Sequence, residues 1–535
     1  MNPRVLYHIA RADFFERVRR YSFLVTLAFT LYAGYEVNRG NIVINVGRYR
    51  GVYNSAWLGL LLSMTATTLI SLVGFYVIKN TVERDRQTGV GQILAATPLS
   101  RISYLFGKAL SNFAVVSVIM VLLLLAAFAM QFWRAESAGV DLWQLFAPFL
   151  ILTAPALAFL AALAVLFECV PGLRGGFGNV FYFFFWTALL GAGFGWRRSS
   201  LDMLGFSILQ RDVVERAKSI LPEYQGGFSF QIGPHSGQTF LTFVWDGFHW
   251  TAFDLAQRAA CVGIAALTVL LAAAFFDRFD TSRGFLHRFS GGLHRTAVSA
   301  AEAVVPAGAA EGAARLPSLP IPEPAHLSPL PESPQPLCFP AILRAELRLM
   351  LKGRSRWWYL VALGLLIGSF AAPAGEPRGK VLAFAWLWPV LVWSAMGTRE
   401  ARFATGPLVF SSARALQRQL PAVWLAGTAV AALAGAGVGA RALLARDWAH
   451  LAAWTVGALF IPALALALGV WSGTSKLFEG LYTALWYAGP AQPTPGLDFM
   501  GASSVVHYDA PLYYLAATVG LLVLAAAGRR RQIRT

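Results

Sequence analysis

Apolar blocks of roughly 20 residues recur along this chain, and their length constrains the fold more than any other feature. An α-helix needs about 20 apolar residues to cross roughly 30 Å of hydrocarbon. A buried helix of a soluble protein is usually shorter and amphipathic. The chain has 535 residues, of which 57% are hydrophobic and 13% charged, with a mean hydropathy of +0.56. These values exclude an ordinary soluble protein. A net charge of +17 would by itself suit nucleic acid. However, Arg and Lys gather beside the ends of the apolar blocks, as positive-inside sorting expects, so the partner they indicate is the bilayer and not nucleic acid.

The blocks predict spans at 21–37, 55–78, 107–132, 145–170, 179–196 and 255–277, then at 357–373, 380–397, 420–440, 450–471, 477–489 and 511–528. Between the two series lies 278–339, rich in small residues and then in proline, which reads as an extended linker without a packed core. The expected fold is therefore an all-α polytopic membrane protein. A first half (1–277) and a second half (340–535) each form a six-helix transmembrane bundle. An even number of spans gives both halves the same orientation, related by an axis along the membrane normal. Residues 3–20 and 342–356 interleave apolar and basic residues at helical spacing, as a helix lying on the membrane surface does. Arg11 and Arg17 belong to the first, Arg344 and Arg348 to the second. The Arg-rich start lacks a small-residue cleavage site, so the first span is read as an anchor, with both termini cytoplasmic. The loop 197–254 after the fifth span is long, with an expected amphipathic helix at 209–220 and an aromatic, strand-like stretch at 228–250. Its counterpart 490–510 is short. This predicts an extracytoplasmic cap made mainly by the first half.

A polar motif also occurs twice. Glu83, four residues and Thr88-Gly89 follow the second block of the first half; Glu400, four residues and Thr405-Gly406 follow the second block of the other. Both continue to an arginine, Arg101 and Arg418, twelve positions beyond the glycine. Arg11-Ala12-Asp13 parallels Arg344-Ala345-Glu346, and Tyr182 with Trp186 parallels Tyr482 with Trp486 at equal spacing. Recurrence in one order along the chain indicates a duplicated membrane unit.

The order of surface helix, span, span, Glu-x4-Thr-Gly and then Leu94, Pro98 and Arg101 resembles the permease subunits of type-2 ABC transporters, a superfamily of many bacterial drug, antibiotic and polysaccharide exporters. The resemblance is good over 1–196 and recurs more weakly over 340–490, where Ala415 stands for Pro98 and Arg402 for Asp85. It implies that the loop after the second span of each half docks on an ATP-binding-cassette ATPase subunit. One chain would then bind two such subunits in a bacterial-type inner membrane. Glu83, Thr88, Gly89, Pro98, Arg101, Glu400, Thr405, Gly406 and Arg418 would form the coupling loops, with smaller contacts at Gly172-Leu173-Arg174-Gly175-Gly176 and Ser472-Gly473-Thr474-Ser475-Lys476. The physical reading of the loop is parallel. An amphipathic turn of helix with Val90, Ile93 and Leu94 behind its charges can bury its apolar side on a partner. Glu83 is expected to pair with Arg11, Arg17 or Arg20, and Glu400 with Arg344 or Arg348.

No Gly-x4-Gly-Lys-Ser/Thr phosphate loop occurs, so no cofactor is expected in this chain; ATP and Mg belong on the partner subunits. Ser290-Gly291-Gly292 resembles an ABC signature loop but has no nucleotide-binding domain around it. Cys169, Cys261 and Cys338 lack metal or disulfide spacing, and His235, Asp246 and His249 lack HExxH spacing, so neither catalysis nor a metal site is expected. Glu168, Asp254 and Arg258 are read as hydrated groups near the interfaces. The resemblance implies that second and fifth spans line a pathway, here with Thr65, Thr67, Thr68, Tyr182, Trp186, Trp386, Trp388, Trp393, Tyr482 and Trp486, an apolar lining suited to a small hydrophobic or amphipathic substrate. Two other readings stay open: a mechanical subunit that moves its outer loop without transporting, and a secondary transporter with internal repeats. The span centres hold almost no ionisable residues, which disfavours the last.

Overall fold

A computed structural model describes residues 3–19, 21–133, 136, 139–195, 202–221, 227–232, 240–279, 339–373, 376–412, 414–491, 496–502 and 509–534. The linker from 280 to 338, and with it Ser290-Gly291-Gly292 and Cys338, lies outside these residues, as do Arg20 and His235.

The chain is mostly helical. Seven helices are long and apolar enough to cross a membrane: Ser55–Gln87, Arg101–Phe132, Leu142–Cys169, Gly176–Phe194, Ala252–Phe275, Trp448–Ser472 and Ala510–Ile533. An eighth is formed if Ala415–Ala434 and Ala436–Leu444, bent by 69°, are one span. Twelve spans were expected, and the second half departs most. Arg356–Ala371 is only 16 residues long. The helix Glu376–Leu387 stops before Pro389, whose ring cannot donate an N–H to the ladder, and the single turn Val390–Trp393 follows. Lys476–Trp486 runs into a π-helical turn, Tyr487–Ala491, containing Pro490. In the first half the helix Tyr21–Arg39 forms where expected, but Glu36 and Arg39 end its apolar run and it does not join the seven.

The packing order nevertheless repeats. The surface helix Pro3–Val18 lies on Arg101–Trp133, and the surface helix Phe339–Leu351 lies on Ala415–Ala434. Ala252–Phe275 packs along Ala154–Cys169, and Ala510–Arg534 along Trp448–Ser472. The halves meet chiefly where Gly176–Gly195 packs on Lys476–Trp486. We call this contact the seam.

A small sheet adds to the helices. Strands β1 (Ile42–Val46), β2 (Tyr49–Gly51), β3 (Phe228–Ile232) and β4 (Leu241–Phe243) lie in the order β3-β1-β2-β4. The β1–β2 turn closes at Gly47, whose φ of +60° suits glycine. β1 pairs antiparallel with β3 from Ile42↔Ile232 to Val46↔Phe228, and β2 pairs parallel with β4. Trp57, one turn into the helix that follows, packs edge-on against Phe243 and Trp245. A Cβ on Gly51 would come within 2.2 Å of the Trp57 ring, so glycine is required there. The strand-like reading of 228–250 thus finds two strands, and 42–51 supplies two more that the spacing of apolar residues did not reveal. The expected helix at 209–220 forms as Phe206–Ile220 and joins the sheet region, its Asp212 accepting from Trp245 Nε1 at 3.2 Å.

Tyr182 and Tyr482 hold the helix breaks closed. Tyr182 donates to the Ser71 carbonyl in the π-helical turn Ile70–Gly74, and Trp186 Nε1 donates to Ser71 Oγ at 2.8 Å. Tyr482 donates to the Trp386 carbonyl at 2.9 Å, in the last turn of a helix where carbonyls lack an intrahelical partner, and Trp486 Nε1 to the Ala383 carbonyl at 2.7 Å. A buried carbonyl left without a donor costs about 1–3 kcal/mol. Tyr182→Phe and Tyr482→Phe should therefore each lower the thermal unfolding temperature of the purified chain, by similar amounts. Wild-type unfolding temperatures in both variants would show that these hydroxyls do not hold the breaks.

Candidate functional site

The site is the end of the bundle that carries the two repeated loops. In the first loop the helix from Ser55 breaks at Lys79–Asn80, where Asn80 has a φ of +107°. Two short helices follow, Thr81–Gln87 and Val90–Ala96, turning at Gly89 with φ +76°. The second loop has the same plan with shorter pieces: Arg399–Arg402 and Gly406–Phe410, turning at Ala404 with φ +52°.

The break at Asn80 strands backbone N–H groups that one residue collects. Glu168, at the end of Ala154–Cys169, accepts through Oε1 from Asn80 N at 2.6 Å and Thr81 N at 3.0 Å, and from the Thr81 hydroxyl. Through Oε2 it accepts from Val82 N at 2.6 Å and Glu83 N at 3.1 Å. A carboxylate at a helix N-terminus satisfies unpaired donors and opposes the partial positive charge there. Glu168 is 3% exposed, so it is not the hydrated interfacial group the sequence suggested. Asp254 and Arg258 are buried as well.

Beneath the first loop lies a buried charge cluster. Asp13, on the surface helix, meets Lys108 at 2.8 Å, Arg17 at 2.9 Å and Arg84 at 3.1 Å. Lys108 also meets Asp85 at 2.7 Å, and the Tyr104 hydroxyl donates to Asp85 at 2.7 Å. Arg84 further pairs with Glu16. Loop and surface helix are thus joined, with polarity opposite to expectation: the loop supplies the arginine and the surface helix the carboxylates. Glu83 instead accepts from Gln87 at 3.0 Å and lies 3.5 Å from Arg86.

The second half repeats this arrangement. Arg399 of the loop meets Glu346 of the surface helix at 3.1 Å. Glu400 is buried, accepts from Gln419 at 3.0 Å and pairs with Arg529 of the last helix at 2.6 Å. Asp85 with Tyr104 and Glu400 with Gln419 are both pairs nineteen residues apart. One offset along the chain relates Arg84 to Arg399, Asp85 to Glu400, Gly89 to Ala404, Ile93 to Leu408 and Ser71 to Trp386. The structural equivalent of Glu400 is therefore Asp85, and the Glu-x4-Thr-Gly match is displaced by two residues from the repeat in space.

The remaining motif residues frame the loops. Thr88 closes the first short helix through a hydroxyl bond to the Arg84 carbonyl at 3.0 Å, and Thr405 precedes the second short helix of its loop, which begins at Gly406. Pro98 and Arg101 are exposed and Arg418 is half-buried. Arg11, Arg344 and Arg348 are exposed on the surface helices, whereas Arg17 is buried. The proposed pathway residues lie elsewhere, mostly packed inside their own half, although Trp486 also meets the Phe184 ring across the seam. The Thr65 and Thr67 hydroxyls donate to Leu61 and Ser63 carbonyls at 2.7 and 2.9 Å, and Trp393 Nε1 donates to the Gly427 carbonyl at 3.1 Å. Among the described residues no group of three or more His, Cys, Asp or Glu side chains could hold a metal ion.

The surface-helix carboxylates differ in electrostatics. Burial opposes ionisation of Asp13, but Lys108, Arg17 and Arg84 outweigh it and hold the carboxyl below the ordinary aspartate value. Burial raises Glu346; Arg399 offsets only part of this, and Glu400 adds to the rise. The signs are opposite. The contribution of Asp13 to stability is present above the ordinary aspartate pKa and is lost as pH falls through its depressed value. That of Glu346 is present in acid and is lost as pH rises through its raised value.

No protein-family model matches the chain, and no curated protein matches it either.

At neutral pH, Asp13→Asn takes a shared carboxylate from three cations, of which Lys108 keeps Asp85 and Arg84 keeps Glu16, and breaking a buried pair costs at most about 3–5 kcal/mol. Glu346→Gln removes a carboxylate whose ionisation burial already disfavours, and should cost less than half as much. Thermal unfolding of the two variants at neutral pH tests the order, and a larger loss for Glu346→Gln would contradict it. Glu168→Ala, which strands the N–H groups of residues 80–83, should speed amide exchange across Thr81–Gln87 while leaving the second loop unchanged; equal exchange in both proteins would count against the clasp.

Proposed function

We propose that this chain is the membrane subunit of an ATP-driven transporter of the type-2 ABC kind, exporting a small hydrophobic or amphipathic substrate while two separate ATPase subunits hydrolyse ATP. The supporting observation is the matched pair of loops. Each carries an exposed apolar residue at an equivalent position, Ile93 and Leu408, 69% and 77% exposed. Val90 in the first loop and Phe403 in the second are exposed beside them. Each loop is backed by a part-buried acid–base contact to its own surface helix. Apolar side chains displayed on a rigidly backed, charged loop suit burial against a protein partner. In this reading the loops and both termini face the cytoplasm across a bacterial-type inner membrane. The two halves are parallel repeats, and ATP and Mg bind the partner subunits.

One observation favours a second reading. The sheet and the helix Phe206–Ile220 form a folded cap at the far end of the Ser55 helix from its loop. A subunit that moves such a cap, without passing a substrate, would use the same loops. Substrate-stimulated ATPase activity separates the two: it is expected for the exporter and absent for the mechanical subunit.

Purification of the chain from its native membrane should yield one copy with two ATPase subunits by native mass spectrometry. Ile93→Glu should remove more of the bound ATPase than Leu408→Glu, because the first loop has the longer helices and the fuller backing. Two copies of this chain per two ATPase subunits would contradict the stoichiometry. Undiminished ATPase binding in the Ile93→Glu, Leu408→Glu double variant would overturn the docking role of the loops.

A further inference from the structure

The seam between the halves ends beside the first loop, where Asn179 and Glu479 of the seam and Lys79 of the adjoining helix are polar and buried. Asn179 Nδ2 donates to Glu479 Oε2 at 2.5 Å across the seam, and both residues are at most 3% exposed. Lys79 Nζ donates to Asn179 Oδ1 at 2.7 Å and to the Leu173 and Gly175 carbonyls at 3.0 and 3.4 Å. Lys79 is also the last residue before the Asn80 break, and its own carbonyl accepts from Lys476 Nζ of the second half. Tyr76, one turn earlier, donates to the Asn179 carbonyl at 3.0 Å, and its ring lies 3.3 Å from where a Cβ on Gly480 would be. The first loop is therefore bonded to both sides of the seam at the residue from which it springs.

The second loop lacks this connection among the described residues. The offset that relates the loops places Ser394 opposite Lys79, and its hydroxyl returns to the Leu391 carbonyl of its own segment at 3.3 Å. It places Leu391 opposite Tyr76, which has no hydroxyl to donate. Charge-assisted bonds buried from water are the strong ones, and a group that makes several at once moves only with its partners.

We infer that Lys79 is a positioning residue that ties the first loop, and not the second, to the Asn179–Glu479 contact, so that displacement of the first loop is passed to the seam. The use of that displacement in opening a passage rests on the permease reading; the tie itself does not. Its chemistry requires the ammonium of Lys79 as a multiple donor and the amide of Asn179 as the relay to Glu479.

The test uses the full chain in lipid nanodiscs without ATP or ATPase, read by hydrogen exchange. Lys79→Met removes the ammonium and keeps most of the stem. It should reduce amide protection across 476–486 by about tenfold, as loss of a buried charged hydrogen bond does. Residues 399–410 should exchange as in the wild type, and Ser394→Ala should leave 476–486 unchanged. Asn179→Ala is the milder variant, keeping both lysines, and should loosen the same segment; it carries the test alone if Lys79→Met does not fold. Wild-type protection across 476–486 in the folded variants would overturn the tie, as would equal loosening by Ser394→Ala. Failure to recover an ATPase with the chain would overturn the permease reading and leave this result standing.

Discussion

The loop end of this protein depends on one carboxylate. A helix that breaks before leaving the bundle leaves the N–H groups of its next turn without partners, and near hydrocarbon such groups are costly. Glu168 takes up four of them and a hydroxyl. That requirement explains why the first loop stands where it does: its two helices start from the end of Ala154–Cys169, not from free chain. Once Thr81–Gln87 is placed, Arg84 and Asp85 reach the cluster of Asp13, Lys108 and Tyr104, and Arg86 reaches Asp277 at 2.8 Å at the exit of the last helix of that half. The surface helix, the third span and the chain leaving the half are all fixed relative to the clasp.

The second half solves the same problem differently. Thr398 precedes a single turn, Arg399–Arg402, and no carboxylate stands where Glu168 does; the long helix there ends in Gly469-Val470-Trp471-Ser472. A Cβ at Gly469 would lie 2.1 Å from the Met396 carbonyl, so backbone approaches backbone where the first half inserts a side chain. Arg529 then reaches in from the last helix to Glu400 and to the Gly397 carbonyl at 3.2 Å. Its guanidinium also lies over the Phe410 ring. A clasp from above has been exchanged for one from the side. The shorter loop helices follow from having fewer N–H groups held.

Much of this was legible in the sequence because it rests on composition and period. Blocks of apolar residues, two basic amphipathic helices and a Gly-centred loop in the first half are local signals, and each has a helix or turn to match. The recurrence of a loop motif was legible as well, but not the register in which the two loops correspond. Glu-x4-Thr-Gly aligns on letters, whereas the fold aligns burial, and burial pairs Asp85 with Glu400. Glu168 was visible as an acid beside an apolar run; that it was dry was not, because its partners are backbone groups 85 to 88 positions away, which no side-chain pattern records. The strands at 42–51 are short and lie between two helices, and β1 is buried at all five residues, so no alternation marked it. The second-half spans were overestimated because hydropathy ignores what Pro389 and Gly435 do to a ladder. Gly435 sits where a Cβ would meet the Trp386 and Trp454 indole nitrogens at 2.7 Å, so the bend there is made by close packing of two tryptophans against bare backbone.

Two different segments of one chain can do at a seam what two identical chains cannot. Residues facing one another across a symmetry axis in a homodimer are the same residue, so a buried glutamate there would face a second glutamate and one of the two would have to take up a proton. Here the facing residues are Asn179 and Glu479, and the amide donates to the carboxylate. The cations are divided as unevenly, Lys79 from one side and Lys476 from the other, at positions that are not equivalent in the repeat. Replacing Asn179 by glutamate would restore the symmetric arrangement and place two carboxylates a hydrogen bond's length apart with little water between them. Lys79, already 2.7 Å from the Asn179 side-chain oxygen, would pair with the new carboxylate, but no donor would remain between the two acids, so the seam should loosen. Glutamine at the same position, which keeps the donor, should loosen it less. Wild-type protection from exchange at the seam of the Asn179→Glu protein would show that the asymmetry of this contact has no electrostatic role.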